Sequence, residues 1–359
     1  MNITKQVASL GQSLWLDNLS RSLIRDGTLA KMIGEDGVSG VTSNPSIFQA
    51  ALANSPYYAD DLSRLKASEP NAERRYEALV VPDIQAACKL LLPVFERSGG
   101  RDGYVSLEVA PRWAYDTART VEEAHRLWAL VNRPNVLIKV PGTPEGVRAF
   151  EALTTLGINV NVTLLFSLVQ TEAVFDAYIR GLTLRIESGA DVRPSKAVAS
   201  LFLSRVDTLV DRQLAAVGTS AAQARQGQAG LALAKLAYQP YLETFHGESF
   251  ATLAEQGAAP QYLLWASTSV KNPAYHDLLY VEPLIGPETI NTLPDKTLDA
   301  LRDHGRPAVR VEDGLAEAEA HLVELARLGI DMEAVGKTLQ DEGVKLFEAA
   351  YEKALQQTA

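Results

Sequence analysis

The sequence holds a single cysteine, Cys88, among 359 residues. No intramolecular disulfide can form, and a reducing compartment is the natural expectation. Positive charge is also in short supply: 34 Lys and Arg against 44 Asp and Glu leave a formal charge of -10. Broad phosphate-backbone binding requires clustered basic residues, so no nucleic-acid partner is expected, although a local basic pocket stays open. No uninterrupted apolar stretch long enough for a bilayer is evident, and Met1 to Gln6 lacks the charged-then-apolar layout of a secretion signal. A soluble, cytoplasmic protein without membrane contact is the resulting expectation. Gly-rich nucleotide loops, P-loops and serine nucleophile elbows are missing as well. What the chain does have is core-forming material: 47% hydrophobic and 22% charged residues exclude disorder as a description of the whole.

That material alternates. Short β-like runs are read at Leu14 to Leu19, Gly40 to Ser43, Tyr104 to Val109, Val136 to Val140, Asn159 to Leu164, Ala197 to Leu203, Tyr262 to Ser267 and, more faintly, Thr289 to Asn291. Helix-period segments lie between most of them: Arg21 to Ile33, Ser46 to Leu65, Ala72 to Phe95, Thr120 to Val131, Pro144 to Leu156, Ser167 to Ile186, Arg205 to Gln213 and Leu231 to Phe245. Strand-helix alternation implies parallel pairing through crossovers, and eight units predict a closed (β/α)8 TIM barrel. A doubly wound open sheet is the rival architecture. Two additions are expected on a single domain over 1-359: extra helices in the Ser46 to Gly103 connection, and an acidic helical extension over 311-359. In the extension Leu315, Leu322, Leu325 and Leu328 recur at helical spacing, for packing on the barrel or alternatively for a dimer surface, so monomer and homodimer both stay open.

Local chemistry fixes two junctions. Thr143-Pro144-Glu145 reads as an N-cap, a proline in the first helical position and an acid in the first turn. The residue before a proline is held out of the helical region, so Asn44, ahead of Pro45, should project from the end of an extended segment.

In such a barrel, polar side chains at the C-terminal ends of strands face the mouth where chemistry occurs. The rule selects Asp17, Thr42, Asn44, Glu108, Lys139, Asn161, Thr163, Ser200, Phe202, Arg205, Ser267 and Lys271. Lys139 is the residue most in need of explanation, because it interrupts the apolar run Val136-Leu137-Ile138-Lys139-Val140. Burial disfavours the charged form of an amine, and a neutral amine can attack a carbonyl to form a Schiff base. Lys196 and Lys271 also lie near strand ends, but one opens its strand at the opposite face and the other lies in a polar loop, so neither is expected to be strongly desolvated.

These segments resemble the transaldolase family of Schiff-base-forming aldolases. The matching pieces are Trp15-Leu16-Asp17, Gly40-Val41-Thr42-Ser43-Asn44-Pro45-Ser46, Val105-Ser106-Leu107-Glu108-Val109, Leu137-Ile138-Lys139-Val140-Pro141, the run from Gly157 to Ser167, and Ala199-Ser200-Leu201-Phe202-Leu203-Ser204-Arg205. Six pieces in register are specific where any one alone is not. The stretch from Trp265 to Pro273 and the acidic extension resemble the longer bacterial branch. The resemblance implies transfer of a dihydroxyacetone unit between sugar phosphates in the pentose-phosphate pathway, without metal or other cofactor. It implies Lys139 as the Schiff-base lysine, Asp17 as general base, and Glu108 with Thr163 as holders of a proton-shuttling water. Thr42, Asn44, Asn161 and Phe202 would contact or support the sugar, and Ser200, Arg205 and Lys271 would grip the phosphate.

Each residue also has an ordinary structural reading. Lys139 and Glu108 could form an ion pair, Asp17 could cap the helix near Ser20, Asn44 could serve only its turn, and Phe202 could be plain core. The chain departs from the family at Ala110, where an aspartate is usual, at Trp113, and at Lys271, where shorter members carry arginine. Arg112 is therefore expected to be freer or to find another acid. Two other functions stay open: a fructose 6-phosphate aldolase on the same lysine, and a non-catalytic phosphosugar-binding barrel. A zinc-dependent aldolase is disfavoured, since His125, His246, His276, His304 and His321 show no ligand-like spacing.

Overall fold

The computed structural model describes residues 2-359. Eight parallel strands close on one another in sequence order: β1 (Gln12–Leu16), β2 (Gly40–Val41), β3 (Val105–Glu108), β4 (Val136–Pro141), β5 (Val160–Leu165), β6 (Ala197–Phe202), β7 (Tyr262–Ala266) and β8 (Thr289–Leu293), with β8 paired back to β1. This is the (β/α)8 barrel, with no open edge at which the doubly wound alternative could begin. The strands begin and end within a few residues of the positions read from sequence. The largest shift is at β1, which ends at Leu16, short of the Leu19 read from sequence.

Parallel pairing demands crossovers, and helices supply them, among them Thr117–Val131, Pro144–Leu156, Leu168–Glu187 and Ser204–Val217. The expected start of the second is present: Thr143 Oγ1 accepts from the Gly146 N–H at 3.0 Å with Pro144 next in line. The expected continuous Arg21 to Ile33 helix is instead broken into Arg21–Arg25 and Thr28–Lys31, because Gly27 takes φ 76° between them. Between β7 and β8 only the short turn Glu282–Leu284 intervenes, while Asp295–His304, unforeseen in the sequence reading, follows β8.

Both additions are helical. The β2 to β3 connection carries Pro45–Asn54, Ala59–Ser68 and Ala72–Arg97. By length and composition the last of these could cross a bilayer, which the sequence reading missed. Here ten of its side chains, including Leu79, Ile84 and Leu91, are buried within the protein. That is the behaviour of a core helix.

The extension forms Leu315–Arg327, which packs against Ala229–Phe245, and Met332–Thr358, which packs along Pro45–Asn54 and the end of β5. Its attachment to the barrel mouth follows from one irregularity. The register of β5 against β6 shifts between Val162 and Leu165, and Leu164 adopts φ 61°, a left-handed conformation costly for a branched residue. The displaced Leu164 carbonyl is taken up by Gln340, whose Nε2 donates to it at 3.0 Å and to the Gly142 carbonyl at 2.8 Å. Three residues on, Gly343 lets the helix close over Leu164, where an added Cβ would lie 2.9 Å from Leu164 Cδ2. Gly40 has a similar task on β2, because the indole of Trp15 occupies the space of a side chain there.

Candidate active site

At the C-terminal end of the barrel lies a cavity of about 410 Å³. The strand period of two decides its lining: Ser200 and Phe202 on β6, Leu264 and Ala266 on β7, and Lys139 and Thr163 on β4 and β5 all point inward. Nine of the eleven residues assigned roles by resemblance line it: Asp17, Thr42, Asn44, Lys139, Thr163, Ser200, Phe202, Arg205 and Lys271. Glu108 and Asn161 stand behind the surface.

Lys139 is 4% exposed. Its ammonium donates to the Ser43 carbonyl at 3.1 Å and stands 3.4 Å from Glu108 Oε2. The ion pair considered from sequence therefore exists, but it borders a cavity. Removal from water pushes the Glu108 carboxyl up to about 6, against the opposing pull of Lys139. Both Glu108 oxygens and Thr163 Oγ1 are buried without a hydrogen-bond partner among the described residues. Oε2 keeps only its ion pair with Lys139, and such under-satisfied buried oxygens are costly, so they mark a place built to receive polar atoms.

Asp17 lies just beyond β1. Burial raises its carboxyl above the ordinary range, while a hydrogen bond from Thr42 Oγ1 at 2.8 Å opposes the shift. Thr42 is in turn 2.6 Å from Thr292 Oγ1; with its own hydrogen committed to Asp17, it accepts from Thr292. The helix-cap reading of Asp17 fails, since Ser20 itself caps that helix by accepting from the Leu23 N–H at 3.1 Å. Asn44 does cap its helix, through Ile47 N–H at 3.0 Å, and its side chain also reaches the cavity. Asn161 is fully buried, donating to Ser106 Oγ at 3.1 Å and accepting from Ser200 Oγ at 2.7 Å. It meets the cavity through Ser200.

Arg205 forms no ion pair with a carboxylate among the described residues. Its guanidinium carbon lies 5.4 Å from the centre of the Phe202 ring and 5.8 Å from that of Phe347, and its Nη1 is buried without a hydrogen-bond partner among the described residues. Burial pulls its pKa down from the usual value. Lys271 is more exposed, with Nζ donating to Ser269 Oγ at 2.5 Å, and burial and then Arg205 lower its pKa. Two cations converge on one wall of an acidic protein.

The sequence reading missed Phe347, Thr292 and Ser269 in the lining. Phe347 comes from the C-terminal helix, and its ring centre lies 5.8 Å from Lys139 Nζ. Lys196 requires a correction. It does sit at the opposite end of the barrel, but it is 3% exposed rather than solvated, and burial lowers its pKa to about 7. The ring of Tyr262 from the neighbouring strand covers it at 3.5 Å. Arg112 finds its other acid in Glu73, with Nη2 donating to Oε2 at 2.9 Å. Folding also brings ligand atoms of His276, Asp277 and His304 within 4.8 Å of one another on the surface, a grouping invisible in sequence spacing and outside the cavity.

The chain matches the transaldolase/fructose-6-phosphate aldolase family over residues 14–358. It is 71% identical over 357 residues to a transaldolase of Thiobacillus denitrificans, covering 99% of each chain. It is 48% identical over 355 residues to a transaldolase of Neisseria meningitidis, again covering 99% of each. A third relative, transaldolase 1 of Streptomyces avermitilis, is 46% identical over 356 residues, 99% of this chain and 94% of that one. The chain belongs to the transaldolase/fructose-6-phosphate aldolase family.

Proposed function

We propose that this enzyme is a transaldolase that moves a dihydroxyacetone unit from a ketose phosphate, sedoheptulose 7-phosphate or fructose 6-phosphate, to an aldose phosphate through a Schiff base on Lys139. The observation that carries the reading is the buried Lys139 amine 3.4 Å from a carboxyl poised near pH 6.

Attack of Nζ on the ketose carbonyl gives a carbinolamine, which loses water to become an iminium. Proton movement in both steps is assigned to a water held between Glu108 and Thr163. Asp17 removes the hydroxyl proton at C4, the C3–C4 bond breaks, the aldose leaves, and the electron pair flows into the iminium to give an enamine. The enamine then attacks the acceptor aldehyde while Asp17 returns its proton. Water adds to the new iminium, and the free amine and product ketose separate. The iminium is itself the electron sink, so the reaction asks for no cofactor or metal. The Thr292-Thr42-Asp17 chain orients the base, Asn44 and Ser200, steadied by Asn161, meet sugar hydroxyls, and Phe202 bounds the pocket. Arg205, lacking an internal acid, takes the phosphate with Lys271 as a second point charge. The reading includes a single-domain barrel whose 311-359 extension completes the mouth, and the cytoplasm as compartment.

Borohydride reduction in the presence of fructose 6-phosphate should leave a covalent adduct on Lys139, located by peptide mass spectrometry. Bound sugar without an adduct would reduce the protein to a binding barrel. With unreduced enzyme, fructose 6-phosphate and erythrose 4-phosphate together should yield sedoheptulose 7-phosphate; release of free dihydroxyacetone in its place would make the enzyme an aldolase.

A further inference from the structure

The N-terminal mouth of the barrel holds a second cavity of about 1310 Å³, which shares no lining residue with the first. Three arginines on its walls are anchored by backbone carbonyls, and no carboxylate among the described residues forms an ion pair with them. Arg101 Nε donates to the Ser98 carbonyl at 3.1 Å, and Arg133 Nη1 to the Asn132 carbonyl at 2.8 Å. Arg185 donates through Nε to the Asp191 carbonyl at 2.7 Å and through Nη1 to the Thr155 carbonyl at 3.1 Å. Its guanidinium rests on Gly157, where an added Cβ would lie 2.5 Å from Cζ.

Many arginines elsewhere meet acids, as Arg126 does with Glu77 and Glu123, and Arg180 with Glu151 at 2.8 Å. Within the cavity itself the Asp191 carboxylate is taken by Arg193 at 2.9 Å, and Glu288 accepts from the Tyr241 hydroxyl at 2.7 Å and lies 2.6 Å from His246 Nε2. Two of the three acids in the lining are thus engaged, Glu96 being the third, and the three anchored guanidiniums keep further N–H groups to offer. A guanidinium held by carbonyls has lost rotamer freedom before any ligand arrives, which favours binding of an oxyanion. Aromatic side chains share the lining: Phe95, Trp128 and Tyr262. Ser195, 3% exposed, adds a hydroxyl without a hydrogen-bond partner among the described residues.

We propose that this lower cavity is a second ligand site, for a small phosphorylated molecule with a flat aromatic body, its phosphate on Arg101, Arg133 and Arg185 and its ring against the Phe95, Trp128 and Tyr262 wall. A mononucleotide is the simplest compound of that class. It offers the charge that the anchored arginines lack and the flat face that the wall can stack.

Adenosine 5'-monophosphate is the probe, titrated calorimetrically into the full chain, the Arg205→Ala protein and the Arg101→Ala/Arg133→Ala protein. Both changed arginines are exposed, so the fold should survive. The site predicts binding that persists in Arg205→Ala, weakens about tenfold or more in the double variant, and quenches a fluorescence component lost in Trp128→Phe. Loss in Arg205→Ala with retention in the double variant would assign the nucleotide to the upper cavity and overturn the proposal. So would equal affinity for inorganic phosphate, or no heat up to about 10 mM, a concentration that weak binding would saturate.

Discussion

Two lysines, Lys139 and Lys196, are buried almost equally at opposite ends of one barrel, 4% and 3% exposed. Their surroundings differ. Lys139 has a carboxylate at 3.4 Å, a carbonyl at 3.1 Å and a cavity carrying a second carboxylate and an unpaired guanidinium. Lys196 has the Pro260 carbonyl at 3.3 Å and the face of Tyr262, and it does not line the lower cavity. If Lys139 is the reacting amine, as proposed, burial does not distinguish it from a spectator, although it was the property that first drew attention to Lys139. The distinguishing property is the company of groups that can move protons and hold an anion.

The sharpest way to break this contrast is to remove each amine. Lys139→Arg keeps a long basic side chain, but its guanidinium cannot condense with the ketose carbonyl to an iminium, and it should lower transfer by about 10⁴-fold or more, with loss of the borohydride adduct. Lys196→Met should keep transfer within about threefold of the parent and still form the adduct at Lys139. An adduct on Lys196, or full turnover by Lys139→Arg, would reverse the assignment.

The next effect concerns the acid beside Lys139. Glu108 ionises in the folded protein near pH 6, above the ordinary 4.5. Below that pH the carboxyl is protonated and cannot accept a proton from the shuttling water; above it the carboxylate can. The rate of imine formation should therefore climb through an acid limb near pH 6. Glu108→Gln, which keeps the shape and removes the titration, should flatten that limb and lower the plateau about 10²- to 10³-fold. Single-turnover kinetics from pH 5 to 8 would show an unmoved limb if another group carries it.

How far the two ends were legible in the sequence follows the same division. The upper site was readable because each strand contributes its own terminal residues, so a strand list becomes a site list once the barrel is recognised. Asp17, Thr42, Thr163 and Arg205 were found in that way. Phe347 and Gln340 were not, because they reach the mouth from a helix beginning at Met332 whose docking depends on a bulge at Leu164 and a small residue at Gly343. No local period encodes a contact between positions 176 residues apart. Lys196 was misjudged for a related reason: position on its own strand shows where it starts, while its dryness is imposed by Tyr262 on the next. The Arg112 to Glu73 bond likewise joins residues distant in sequence, brought together by the packing of Ala72–Arg97 against β3.

The smallest effect tests Lys196 through stability. Its amine titrates near 7 in the folded chain against 10.5 when unfolded. Between these values the unfolded state holds a proton that the native state has released, so stability rises with pH across that window; below about 7 both states are protonated and the folded protein bears the full cost of a buried cation. Asp102 and Glu288 offset part of this cost by raising the pKa, while Arg101 adds to it. Methionine matches the length of the stem without the charge. Lys196→Met should therefore be more stable than the parent by about 2–4 kcal/mol at pH 6, with an advantage that shrinks as the pH approaches 10. Denaturant midpoints at pH 6, 8 and 10 measure it. A constant difference across the three would mean that Lys196 stays solvated and charged in the folded protein, and that the two ends of the barrel are less alike in burial than their exposures indicate.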